Sequence, residues 1–185
     1  MYKNGIILTG PIGSGKSEAL DVVNKLGYET VDLDIISNDI LNNENSLEFL
    51  KTNFLDCLQN DKVNKAKLAN IVFQDKEKLK LLENYLHPKV QSQLLELLDK
   101  NDKLTFIEVS APKNVIDMFQ TIVLWSPEKV RIARLIDRGM EIDDIKNRIS
   151  NQPTDVWWQS IGTVINNDVK EDLEGQLKEV IESLL

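Results

Sequence analysis

Gly5-Ile6-Ile7-Leu8-Thr9-Gly10-Pro11-Ile12-Gly13-Ser14-Gly15-Lys16-Ser17 is the stretch that decides the architecture. Its first five residues are a short apolar run bounded by turn residues, the pattern of a strand buried on both faces. Gly10 to Ser17 then fit G-x-x-x-x-G-K-[ST] at every position. Each position has a physical task. The glycines let the backbone turn so that successive N–H groups point inward at phosphate oxygens. The helix that follows presents unpaired amides and the positive end of its dipole to the same anion. Lys16 neutralises charge on terminal phosphates, and the Ser17 hydroxyl is a magnesium ligand. Strand, glycine loop and helix occur in the order this mechanism demands, so a nucleoside triphosphate with Mg2+ is the expected ligand.

Outward from this loop, helix-favouring residues run from Ser17 to Leu26 and stop at Gly27. Glu29 to Leu33 reads as a second strand, Thr105 to Val109 and Thr121 to Trp125 as two more, and Val164-Ile165 as a short last one. Helical patterns cover Lys65 to Phe73, Lys76 to Leu86, Val90 to Leu98, Pro127 to Asp137, Ile142 to Arg148 and Leu173 to Leu184. Strands alternating with amphipathic helices predict an α/β fold with a parallel sheet covered on both faces. The block from Leu41 to Leu98 has no core-strand pattern. It predicts a helical insertion over about 41–100 within one domain spanning 1–185. The asparagines at Asn42 to Asn45 read as a loop.

Composition narrows the partners. The chain is 42% hydrophobic and 28% charged, with a formal net charge of -8. That acidic balance opposes nucleic acid and anionic membrane, so a phosphate-bearing ligand needs a local positive site. A lone cysteine, Cys57, provides no disulfide framework. The apolar run at Gly5 to Thr9 is short and leads into glycines rather than a cleavage site, and no stretch approaches a membrane span. A cytoplasmic protein acting on small molecules, monomeric or weakly homo-oligomeric, is expected.

A GTPase would carry a guanine-reading Asn-Lys-x-Asp; Asn24-Lys25 is followed by Leu-Gly. A small kinase needs an acceptor-orienting carboxylate, an acceptor-binding region and an arginine-bearing lid. Asp32-x-Asp34 ends the second strand, at the sheet edge that faces the ligand crevice in parallel folds. Asp34 also precedes an apparent helix, Ile35 to Leu41, where it would serve as an N-cap. Arg131, Arg134 and Arg138, with Arg148 beyond, form a lid candidate over about 131–152. Arg134 and Arg138 share one helix face. The competing reading is a solvated face paired with Glu128, Asp137 and Glu141. His87-Pro88 closes one helical pattern and opens the next, and Trp157-Trp158 reads as packing or as a base-stacking step.

These residues together resemble the dephospho-coenzyme A kinases, nearly end to end. The resemblance runs through Leu8 to Ser17, Leu26-Gly27-Tyr28, Val31 to Ile36, Leu68 to Phe73, Leu82-Glu83 and Leu86-His87-Pro88. It resumes at Ser126-Pro127-Glu128, Arg134-Leu135, Arg138, Arg148 to Gln152 and Val164 to Asn167. It implies a P-loop NTPase fold, a Rossmann-like three-layer α/β/α core with a helical substrate-binding insertion and a small lid. It implies transfer of the ATP γ-phosphate to the ribose 3′-hydroxyl of dephospho-coenzyme A, with ATP and Mg2+ bound. Asp34, Lys16 and Arg138 would be catalytic. Gly10 to Ser17, Arg134, Arg138 and Asn167 would hold ATP, with Asn167 near the adenine and Ser17 on the metal. Asp34, His87, Glu108, Arg148 and Gln152 would form the substrate side.

The chain departs from the family at Glu108-Val109-Ser110-Ala111-Pro112-Lys113-Asn114, where Asp-x-Pro-Leu-Leu is usual. It also has Asn38 in place of an arginine and Asp168 in place of a glycine. The altered acceptor-side segment leaves a second reading open: a kinase for another nucleoside or nucleotide, or a nucleotide-binding paralogue with weakened catalysis.

Overall fold

The structure is a computed structural model that describes residues 2–100, 102–168 and 172–184. By its internal contacts the chain falls into two compact units, Met1–Asp32 with Asn101–Leu185, and Leu33–Lys100.

The first unit is built on five parallel strands, β1 (Gly5–Thr9), β2 (Glu29–Asp32), β5 (Thr105–Glu108), β6 (Gln120–Trp125) and β7 (Thr163–Asn166), in the order β2-β5-β1-β6-β7. Alternation sends Ile6, Leu8, Phe106, Ile122, Leu124 and Ile165 to one face. There they form a core with Ala19 and Val23 of helix α1 (Lys16–Lys25) and Leu173, Leu177 and Ile181 of helix α9 (Leu173–Leu184). The intervening Ile7, Ile107 and Val123 have no exposed surface, so the opposite face is covered as well. That double burial is why these strands read as continuous apolar runs rather than as alternating ones. Helices α6 (Glu128–Asp137), α7 (Ile142–Ser150) and α8 (Asp155–Ser160) follow β6, with Trp158 of α8 buried. The predicted strands and helices of this unit are present, and α8 is an element the sequence reading lacks.

The second unit contains helices α2 (Leu33–Leu41), α3 (Glu44–Asn53), α4 (Lys65–Gln74) and α5 (Lys76–Asp99), and a hairpin of β3 (Leu58–Gln59) and β4 (Lys62–Val63). Leu41, Leu50, Phe54, Cys57, Leu68, Val72 and Leu82 form its core, with Phe49 and Leu86 packed against them. Burial pushes the Cys57 thiol pKa up. Three expectations are corrected here. Asn43 does not sit in a simple loop: it is the N-cap of α3, its side chain accepting the Asn45 N–H, the position where asparagine is favoured. His87-Pro88 does not separate two helices, because α5 runs unbroken through Pro88. Proline removes one intrahelical donor, a loss that a helix held by Leu82, Val90, Leu94 and Leu98 tolerates. Finally, Asp34 is no N-cap, since α2 begins at Leu33 and Asp34 lies within its first turn.

Candidate active site

The glycine loop joins the C-terminal end of β1 to α1, as its sequence demands. Gly15 occupies the position before α1 with φ 99°, a left-handed conformation. A Cβ there would lie 2.2 Å from Asn167 Nδ2. A Cβ on Gly13, also at positive φ, would lie 2.9 Å from the Arg131 carbonyl oxygen. Both glycines therefore serve close packing as well as the turn. Lys16 lies back along the loop, its ammonium donating to the carbonyl oxygens of Gly10 at 3.0 Å and Pro11 at 3.4 Å. The Ile12 N–H donates to Gln152 Oε1 at 2.8 Å.

Glu108 ends β5, paired in register with Leu8 on one side and Asp32 on the other. It is nearly buried, and its Oε1 accepts the Ser17 hydroxyl at 3.2 Å. The sheet order thus brings together a hydroxyl at the start of α1 and carboxylates at the ends of two adjacent strands. Oxygen donors of this kind suit Mg2+. Sequence reasoning assigns Glu108 to the acceptor side; the structure places it beside Ser17. The strand register, which brings Glu108 level with Asp32, is the signal that finds it.

Asn167 is fully buried beneath the loop. Its Nδ2 donates to the Ser14 carbonyl oxygen at 2.8 Å, its N–H to the Trp125 carbonyl oxygen at 2.8 Å, and its own carbonyl oxygen accepts from Ser126 Oγ at 2.7 Å and Arg134 Nη2 at 2.6 Å. Arg134 also donates to Ser126 Oγ at 3.1 Å. Arg134 and Asn167, both read from the resemblance as ATP contacts, thus support the loop from below in this structure.

The arginines of the lid candidate separate into different environments. Arg131 is 2% exposed; Nε donates to the Ser126 carbonyl oxygen at 2.9 Å and Nη2 pairs with Asp155 at 3.0 Å. It is a core element of the sheet unit and not a ligand-facing arginine here. Arg148 forms an exposed i,i+4 pair with Asp144, a contact worth little in water. Arg138, at the C-terminal end of α6, is exposed and makes no side-chain hydrogen bond or ion pair among the described residues. Trp157 and Trp158 pack edge to face at 5.0 Å, and Lys113 lies over Trp157. Asp34 and His87 belong to the helical unit, on α2 and α5.

Similarity to known proteins agrees with this geometry. A dephospho-CoA kinase of Helicobacter pylori is 30% identical over 196 residues, covering 100% of both chains. A dephospho-CoA kinase of Campylobacter jejuni is 32% identical over 165 residues, covering 81% of this chain and 80% of its own. A crystal structure from Thermus thermophilus superposes with a TM-score of 0.86 at 30% identity, covering 98% of this chain and 97% of the other. A shikimate kinase from Bacteroides thetaiotaomicron, at 17% identity and a TM-score of 0.53, shares the fold alone. The dephospho-CoA kinase family model matches residues 5–172, and on that match and the end-to-end relatives the chain belongs to the dephospho-CoA kinase family.

Proposed function

We propose that this chain transfers the γ-phosphate of ATP to the ribose 3′-hydroxyl of dephospho-coenzyme A, using Mg2+ and the residues of its glycine loop. The observation that carries the reading is the complete strand, glycine loop and helix ending in Lys16-Ser17, in a chain of this family. Family membership favours this acceptor over another nucleotide, despite the altered segment from Glu108 to Asn114.

Phosphoryl transfer asks the protein chiefly for positioning and charge stabilisation. Lys16, now turned onto the Gly10 and Pro11 carbonyls, exchanges those neutral acceptors for phosphate oxygens. The amides of Gly13 to Ser17 enclose the same phosphates. Ser17 and the Glu108 carboxylate that accepts its hydroxyl, with Asp32 level with Glu108 in the sheet register, would hold Mg2+. The metal, when bound, neutralises charge shared between phosphate oxygens. Asp34 takes the proton of the acceptor hydroxyl, and His87 contributes to the acceptor site. Arg138 reaches the transferring phosphate when the segment between α6 and α7 closes.

A panel of acceptors tested with ATP and Mg2+ decides among the readings. Phosphate on the 3′-hydroxyl of dephospho-coenzyme A, identified by mass and fragmentation, is the expected outcome. Phosphate on another nucleoside or nucleotide, or on none, overturns it. Lys16→Ala, whose side chain meets phosphate and not the core, removes transfer while circular dichroism stays unchanged.

A further inference from the structure

We infer that Gln152 is a positioning residue for the phosphate loop, held there by an ion pair between the buried Arg131 and the partly exposed Asp155. The family resemblance implies a substrate-side role for Gln152, yet its carboxamide oxygen accepts the N–H of Ile12, 140 positions away, at 2.8 Å. Nothing local prepares this contact; it depends on how the ends of the α6–α7 segment are held.

Both ends are anchored. At the start, Arg131 is buried within α6, and its carbonyl oxygen lies where a side chain on Gly13 would need to be. At the finish, the Gln152 N–H donates to the Ile149 carbonyl oxygen, closing the last turn of α7. Three residues on, Asp155 opens α8 and pairs with Arg131 at 3.0 Å. One guanidinium therefore ties the two ends of the segment to each other. The two ends also touch adjacent loop residues: Arg131 covers Gly13, and Gln152 takes the N–H of Ile12. A loop with an unmatched amide samples more conformations, and shaping it before the ligand arrives lowers the cost of ordering it on binding. The neutral carboxamide satisfies that amide without placing a charge beside the phosphates.

This inference rests on the phosphate-loop reading, and its nucleotide-binding arm makes no assumption about the acceptor. The test is therefore nucleotide affinity, read by calorimetry with MgADP, together with steady-state constants at saturating dephospho-coenzyme A. Gln152→Ala removes one hydrogen bond and is expected to weaken MgADP and raise the KM for ATP about three- to tenfold. At saturating ATP, kcat stays within about twofold, because the bond shapes the free loop. Gln152→Asn, one methylene short, behaves like Gln152→Ala, and Gln152→Glu is worse than either because it repels phosphate. Asp155→Ala raises the KM for ATP in the parent but adds little in the Gln152→Ala background, as residues acting through one contact do. Asp155→Asn, which keeps an oxygen for Arg131, recovers part of the loss even if Asp155→Ala folds poorly. Tighter MgADP binding by Gln152→Ala overturns the inference, since Gln152 would then be a competitor of phosphate. A raised acceptor KM with unchanged MgADP affinity also overturns it and returns Gln152 to the substrate side. Unchanged constants for every Gln152 variant overturn it too. A failed acceptor panel with these nucleotide effects intact would fault the proposed function and leave this inference standing.

Discussion

Gly15→Ala separates the packing role of the phosphate loop from its chemistry, and Gly27→Ala is its natural reference. The two glycines flank opposite ends of α1, and both have left-handed backbones, φ 99° and 92°. A methyl group at Gly27 meets nothing within 4 Å, whereas at Gly15 it falls 2.2 Å from Asn167 Nδ2. Left-handed strain costs each variant about 1–2 kcal/mol. The entropy that alanine removes from the unfolded chain, about 0.4–1 kcal/mol, is common to both and cancels. Only Gly15→Ala must also push Asn167 away from the Ser14 carbonyl, a buried bond of 2.8 Å. Leaving those partners unmatched costs about 1–3 kcal/mol more. Gly15→Ala should therefore be about 1–3 kcal/mol less stable than Gly27→Ala. Urea unfolding followed by tryptophan fluorescence is the assay, because Trp125, Trp157 and Trp158 all lie in the unit that holds both glycines. In an Asn167→Ala background the difference between the two variants should largely vanish. Equal losses for Gly15→Ala and Gly27→Ala in the parent would refute the reasoning.

Two further substitutions test the proposed chemistry. Asp34→Asn keeps the shape of the side chain but not its basicity, so turnover should be abolished while ATP affinity stays within a few-fold; an active Asp34→Asn beside a dead Asp32→Asn would identify the other carboxylate as the base. Arg138→Ala should lower kcat more than tenfold with a smaller change in the ATP dissociation constant; hydrogen exchange between α6 and α7 that ignores ATP and acceptor, with normal turnover, would reduce Arg138 to a solvated helix residue.

The parallel sheet was legible because its strands are buried on both faces, which gives the apolar runs at Gly5 to Thr9, Thr105 to Val109 and Thr121 to Trp125 their uniform character. The phosphate loop was legible because its spacing is fixed by backbone geometry within eight residues. What escaped was set by partners far along the chain. Asparagines at Asn42 to Asn45 suggest a loop from composition, yet Asn43 is a cap. Pro88 suggests a boundary, but tertiary packing carries α5 through it. Arg131 looks like Arg138 in sequence; only the fold buries one against Ser126 and Asp155 and leaves the other in water. Glu108 was found as a candidate, but its link to Ser17 follows from strand order, which no local pattern encodes.

The start of α2 has a consequence for how this chain tolerates length changes. Asp34 lies in the first turn of α2, one residue after the buried Leu33 and two before the buried Ile36. The face of the helix that carries the carboxylate is therefore a matter of phase, counted from its buried neighbours. One residue added between Asp34 and Ile36 would turn the carboxylate by about 100° about the helix axis relative to Ile36, Ile40 and Leu41. The turn at Gly139-Met140 has no such index. An insertion there changes only the length of a loop, whereas inside α2 it changes an angle.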